Sequence, residues 1–227
     1  MTTTSTTDQL GRVRAVFDDW AAAGRAEGME RGHTPTARPA FERLVEGLPA
    51  SARYLDVGCG NGYTVRWAAE RFPTGEAWGL DLSPTMIERA RAQSSAHANA
   101  RFEVAAFPDH GRPELAPASI DAVFSMEVFY YLPDLDAALA EVARLLRPEG
   151  RFACVVDFYG ENLDSHAWPE QLGVAMTLLD AAGWVTAFER AGFTAITSER
   201  LRHAPSGRPE DAWKVEQGSL LTFGRKR

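Results

Sequence analysis

The chain of 227 residues has only two cysteines, Cys59 and Cys154, and neither has a cysteine or histidine nearby at metal-ligand spacing. A disulfide framework and a bound metal are therefore not expected, and two separate buried thiols are. Long apolar runs are missing as well: none approaches the ~20 residues a membrane span requires, and the start carries no charged-then-apolar leader. A cytoplasmic protein without membrane contact is the expectation. Basic residues are scarce, with 24 Lys and Arg against 31 Asp and Glu, a formal net charge of −7. A nucleic-acid binder needs a basic stripe to neutralise phosphates, so nucleic acid is not expected as a partner. A small neutral or cationic molecule suits this charge better. What is present, 45% hydrophobic and 24% charged residues, has the balance of a globular protein with a substantial core.

Along the chain the pattern changes once. Residues 1–8 are threonine-rich with nothing to bury, and read as a disordered tail. Residues 9–50 read as an N-terminal helical cap. Leu10, Val13, Val16, Phe17 and Trp20 recur at helical spacing, Gly32-His33-Thr34-Pro35 reads as a turn, and Phe41, Leu44, Val45 and Leu48 mark a second helix. Residues 51–227 then alternate strand and helix. Strands are expected at 52–57, 76–81, 101–105, 120–126, 152–156, 193–201 and 218–224, and helices at 63–71, 84–94, 135–146, 170–182 and 185–191. The alternation predicts an α/β fold: a three-layer sandwich with a seven-stranded, mostly parallel sheet, the last strand antiparallel, and helices on both faces. Residues 158–184 interrupt the alternation and read as a lid-like insertion.

Between the first strand and its helix lies Asp56-Val57-Gly58-Cys59-Gly60-Asn61-Gly62. Glycines let a ligand approach the chain itself, and the following helix aims free N–H groups and its positive end at the turn. The dinucleotide fingerprint would put its third glycine at position 63, but Tyr63 stands there and the third glycine comes one residue early. Asp81 ends the second strand, 19 residues after Gly62. There an acid can accept from both ribose hydroxyls, or can cap the helix opening at Ser83-Pro84.

The Gly-x-Gly-x-Gly turn preceded by Asp56 resembles motif I of the class I S-adenosylmethionine-dependent methyltransferases, and Leu82-Ser83-Pro84-Thr85-Met86 looks like that family's second motif. Residues 119–127 and 139–151 are similar to its fourth strand and to the helix and turn before its fifth. The resemblance is dense from about Arg53 to Asp157. It implies that Asp56 holds the donor's ammonium group, and that Gly58, Cys59, Gly60, Asn61 and Gly62 cradle the donor. It further implies that Asp81 grips the ribose and that Leu82 and Met86 touch the adenine. Met126 and Glu127 complete that site. Where the family commonly has an acid after the third strand, this chain has Ala105-Ala106-Phe107, so backbone around Ala106 and contact from Phe107 are expected to hold the adenine.

The implied activity is methyl transfer from S-adenosylmethionine to an unidentified small molecule, by a monomer or homodimer. The alternatives are a non-catalytic S-adenosylmethionine or S-adenosylhomocysteine binder acting as a regulator, or a nicotinamide-dependent enzyme on the same fold. The acceptor is expected above Met126–Tyr131. Tyr131 either orients it or packs in the core. Met29, Tyr130, Tyr159 and Trp168 are the candidate acceptor contacts, and His33 and His166 lead as candidate bases, their ordinary pKa lying nearest neutrality.

Overall fold

Residue alternation along the strands fixes the architecture of the computed structural model, which describes residues 6–205 and 211–227. Seven strands are present: β1 (Arg53–Val57), β2 (Glu76–Asp81), β3 (Ala100–Val104), β4 (Ile120–Met126), β5 (Leu146–Val156), β6 (Phe193–Leu201) and β7 (Ser219–Lys226). They form one sheet in the order β3-β2-β1-β4-β5-β7-β6, in which only β7 runs antiparallel to its neighbours. Because side chains alternate across a strand, Tyr54 goes to one face of the sheet and Leu55 and Val57 to the other, as do Ala153 and Val155 against Phe152, Cys154 and Val156. Helices α2 (Ala26–Val45), α3 (Tyr63–Arg71) and α4 (Pro84–Gln93) cover the first face. Helices α5 (Leu135–Leu145) and α7 (Ala181–Arg190) cover the second. The expected fold class and the antiparallel last strand are both present. The two cysteines are free and buried.

Three local expectations need correction. Helix α1 spans Thr6–Ala22, with Asp8 in its first turn, where a carboxylate favours the positive helix end, and paired with Arg12 at 3.0 Å. Three of the eight residues expected as a tail are thus helical, and residues 1–5 lie outside the described residues. The turn expected at Gly32–Pro35 is also absent, because α2 runs through both Pro35 and Pro39. Threonine hydroxyls beside the first proline bond back to the helix, Thr34 to the Glu30 carbonyl (2.6 Å) and Thr36 to that of His33 (3.2 Å). Burial of Ala37, Ala40, Phe41 and Leu44 against the sheet then outweighs the lost backbone bonds.

The third correction concerns the helix expected at 170–182. It is only the short α6 (Trp168–Leu172), which Gly173 ends in the left-handed conformation at φ 64°. Asp180 starts α7 by accepting from the Gly183 N–H at 2.7 Å. In the polar segment expected as a loop at 202–211, residues 206–210 lie outside the described residues. A helix with no counterpart in the sequence pattern, α8 (Ala212–Glu216), precedes β7.

Candidate functional site

The carboxyl ends of the parallel strands and the two N-terminal helices enclose a cavity lined by residues of both. Its floor is the turn after β1. Gly60 sits at φ 52°, and a Cβ built on it meets nothing within 4 Å, so this residue faces open space. Gly62 is different: a Cβ there would lie 2.5 Å from Phe102 Cε1. It opens α3 and does not line the cavity, so its role is packing, whereas Gly58, Cys59, Gly60 and Asn61 all line it.

Two carboxylates face the cavity from adjacent strands. Thr64 Oγ1 donates to Asp56 Oδ2, while Asp56 Oδ1 is buried with no hydrogen-bond partner among the described residues. Burial raises this carboxyl to about 7, against the lowering effect of Thr64. A cationic group in the cavity would supply the missing partner. Asp81 accepts from the Gly60 N–H through Oδ2 and from the Ser83 N–H through Oδ1, both at 2.8 Å. Burial raises it to about 6, partly offset by those backbone bonds. Each Asp81 oxygen still has a lone pair for a ligand hydroxyl. Asp81 therefore ties turn to strand and remains free to accept, while the cap of α4 is Ser83, whose Oγ accepts from the Met86 N–H at 3.0 Å.

Leu82, Met86, Ala106, Phe107, Met126 and Glu127 also line this cavity. Glu103 takes no part, since its carboxylate pairs with Arg112 at 3.0 Å. The expected ligand therefore fits the residues present: an orphaned acid for an ammonium, a second acid with free lone pairs for a diol, an open glycine between them, and an apolar slot for a base. Helix α1 adds Leu10, Val13 and Phe17 to the wall, and α2 adds Met29, Glu30 and His33. Glu30 also clamps the turn, accepting from Asn61 Nδ2 at 2.6 Å and pairing with Arg66 at 3.2 Å.

A second cavity adjoins the first and shares Phe17, Met29, His33, Glu127 and Tyr131 with it. Trp20, Tyr130, Trp168 and Trp213 supply aromatic walls, and Asp157, Arg25 and Lys214 the remaining charge. Glu127, just beyond β4, adopts φ 61°, a left-handed conformation uncommon for a residue with a side chain. Its carboxyl accepts from the Tyr130 hydroxyl at 2.7 Å and from the Asp157 N–H at 2.5 Å, and burial pushes it well up. Asp157, just beyond β5, is raised by burial to about 6, against the lowering effects of the Ser219 hydroxyl and Lys214.

Of the candidate acceptor-side residues, Met29, His33, Tyr130, Tyr131 and Trp168 all come together around this second cavity. His33 lies within α2 and not in a loop. Burial lowers its imidazole to about 4, with Lys214 and His203 adding to the effect, so it is neutral at pH 7. Tyr131 packs edge-on to Phe17, with centroids 5.6 Å apart, and its hydroxyl is raised by burial. Tyr131 is thus packed in the core and at the same time lines both cavities.

Two candidates do not belong. Tyr159 is fully buried, donates to the Gly218 carbonyl at 2.9 Å and lines neither cavity. His166 follows a short 3-10 turn (Leu163–Ser165), is exposed, and reaches only the edge of Phe158. The cavities also contain Asp157, Lys214, Trp213 and Phe17, which sequence reasoning does not single out. For Asp157 a signal exists: like Asp56, Asp81 and Glu127, it is an acid at the carboxyl end of a parallel strand. The others come from remote elements that only the fold brings near.

Among the described residues no group of three or more His, Cys, Asp or Glu could hold a metal ion, and no helix is long and apolar enough to cross a membrane. A family model described as "Methyltransferase domain" matches residues 55–154. A solved structure of a putative Haloferax volcanii methyltransferase, in complex with the Trm112 methyltransferase activator, is 35% identical. It aligns over 92% of this chain and 96% of its own, at a TM-score of 0.81. Malonyl-[acyl-carrier protein] O-methyltransferase of Hahella chejuensis is 40% identical over 109 residues, 48% of this chain and 37% of the relative. Trans-aconitate 2-methyltransferase of Methylobacterium radiotolerans is 38% identical over 117 residues, 51% of this chain and 42% of the relative. The alignments with these two curated relatives thus span less than half of the relatives' length.

Proposed function

Because the chain belongs to the class I S-adenosylmethionine-dependent methyltransferases, we propose that it transfers a methyl group from S-adenosylmethionine to a small molecule. The observation that carries this reading is the pair of carboxylates across Gly60: Asp56 with an unpartnered buried oxygen, and Asp81 with lone pairs open to the same cavity. When bound, the donor supplies a methyl carbon already activated by a sulfonium. The residues would then hold and orient the reactants and exclude water. Asp56 holds the ammonium group, Asp81 the ribose, and Leu82, Met86, Ala106 and Phe107 the adenine. Glu127 and Tyr131, shared by both cavities, stand where donor meets acceptor. The second cavity takes the acceptor, with the 158–184 insertion as its outer wall through Trp168, Gln171 and Leu172.

Thermal shift with S-adenosylhomocysteine tests the reading. A ligand binding only the folded state raises the melting temperature as its concentration exceeds Kd. The expected result is a clear rise in the native chain and none in Asp81→Ala. No rise in the native chain would sink the proposal. A cytoplasmic enzyme remains the reading of the composition, and cell fractionation tests it. The Haloferax protein, matched over nearly its whole length, was solved in complex with a Trm112 activator, which favours a similar partner here over a monomer or homodimer. Co-expression with a Trm112-type protein, followed by size exclusion, would give one co-eluting complex if so.

A further inference from the structure

The second cavity contains a buried carboxyl with an oxygen that the protein around it leaves without a donor. Asp157 is 7% exposed, lines the cavity, and has an Oδ1 with no hydrogen-bond partner among the described residues. Its neighbour Glu127 is held by other groups, Oε2 accepting from Tyr130 and Oε1 from the Asp157 backbone N–H. A buried acceptor left alone is costly, so a ligand that donates to it is favoured. Two cations also line the cavity, and Lys214 favours the ionised form of Asp157 without donating to Oδ1. Lys214 is paired with Asp211 at 3.1 Å, Arg25 is exposed at the rim over the Trp20 ring, and His33 is kept neutral by burial. Tyr130 and Tyr131 stay protonated, their hydroxyls raised by burial. The rest of the wall is indole and phenol, whose faces attract cations.

We infer that the acceptor is an amine carried in as an aromatic-walled ammonium, with Asp157 as the group that receives its N–H. This rests on the donor lying in the first cavity. Asp157 takes one N–H proton, the freed nitrogen lone pair forms the new N–CH₃ bond, and the electron pair of the broken S–CH₃ bond stays on sulfur as a neutral thioether. Burial raises the Asp157 carboxyl, while the Ser219 hydroxyl and Lys214 favour the ionised form that can accept. Glu127 acts through Asp157, fixing its backbone, and is a positioning residue.

The test is calorimetry on protein saturated with S-adenosylhomocysteine at pH 7.5, titrated with benzylamine, which is a cation at that pH, and separately with phenylacetate, an anion of similar shape. Benzylamine should bind at millimolar concentration or better and phenylacetate should not. Asp157→Asn, which keeps shape and removes charge, should weaken benzylamine at least tenfold and leave S-adenosylhomocysteine affinity within about twofold. Trp168→Leu, on the half-buried wall, should weaken benzylamine about fivefold through loss of one cation–π face. This second variant decides the question even if Asp157→Asn fails to fold. Tighter binding of phenylacetate, no binding of either probe, or unchanged benzylamine affinity in a folded variant would overturn the inference. A native chain that does not bind S-adenosylhomocysteine would instead overturn the donor-site reading, and this inference would fall with it.

Discussion

The two cavities meet at Glu127 and Tyr131 but are built in different ways. The donor cavity takes its chemistry from two consecutive strand–turn–helix units. Asp56 and the glycine turn are contiguous in sequence, Asp81 is one strand further on, and backbone N–H groups fix the geometry. The acceptor cavity is assembled from side chains of α1, α2, the residues after β4 and β5, α6 and α8. A site made of backbone and local spacing tolerates little change. One made of remote side chains can be rebuilt one wall at a time, which fits a fold whose relatives are named for different acceptors.

If that division is right, the largest single effect belongs to Asp81. Asp81→Ala removes two charge-assisted acceptors for the ribose and also the bond that holds the Gly60 N–H, so S-adenosylhomocysteine affinity should fall on the order of a hundredfold or more by calorimetry. Retained affinity would mean that the acid only braces the turn.

Two glycines of the same turn should separate binding from folding. Gly62→Ala forces a Cβ against the Phe102 ring at a left-handed φ, and should cost on the order of 2–4 kcal/mol in chemical denaturation. Gly60→Ala meets no protein atom and should cost about 1 kcal/mol of stability from its φ, yet weaken S-adenosylhomocysteine more than Gly62→Ala does in whatever fraction remains folded. Reversed effects would place the ligand against the wrong glycine.

The same contrast explains what is legible before folding. The glycine turn, Asp56, Asp81 and the alternation of strands can be read because strand, tight turn and helix impose a fixed short spacing on the residues that make them. The place of Ala106 and Phe107 in the cavity wall is legible by register alone. Tyr159 and His166 look like site residues in the sequence, but Tyr159 is drawn to the Gln217 and Gly218 carbonyls before β7 and His166 faces solvent, neither of which local spacing reveals. His33 reaches the cavity by a route the pattern hides: its glycine and proline neighbours suggest a loop, yet α2 continues through two prolines and carries it there. Asp157 has a positional signal that composition does not carry, whereas nothing local to Trp213 or Lys214 points to β4.

A smaller effect is pH-dependent. Asp56 is raised to about 7 by burial, and an ammonium partner favours its ionised form. Donor-side affinity should therefore be greatest above pH 7 and fall as pH drops, by at most about tenfold per unit below 7. Asp81, raised to about 6, adds a second loss below that value. Stability of the protein without ligand has the opposite sign. A carboxyl raised on folding contributes stability that is fully present below its unfolded pKa and lost as pH rises towards 7, so the ligand-induced melting shift should widen with pH from 5 to 8. A shift that narrows over that range would remove Asp56 from the ammonium site.

The smallest effect lies at Tyr159. Its hydroxyl donates to the carbonyls of Gly218 (2.9 Å) and Gln217 (3.2 Å), tying the segment after β5 to the start of β7, and its ring lies beneath the Arg200 guanidinium at 5.7 Å. Tyr159→Phe keeps the ring and leaves a buried carbonyl one donor short. It should therefore cost about 1 kcal/mol of stability, a melting shift of a few degrees, with no change in S-adenosylhomocysteine or benzylamine affinity. Because Tyr159 touches neither cavity yet holds a wall-bearing segment in place, the variant separates support of the acceptor side from contact with it. A change in benzylamine affinity larger than the stability loss would return Tyr159 to the acceptor site.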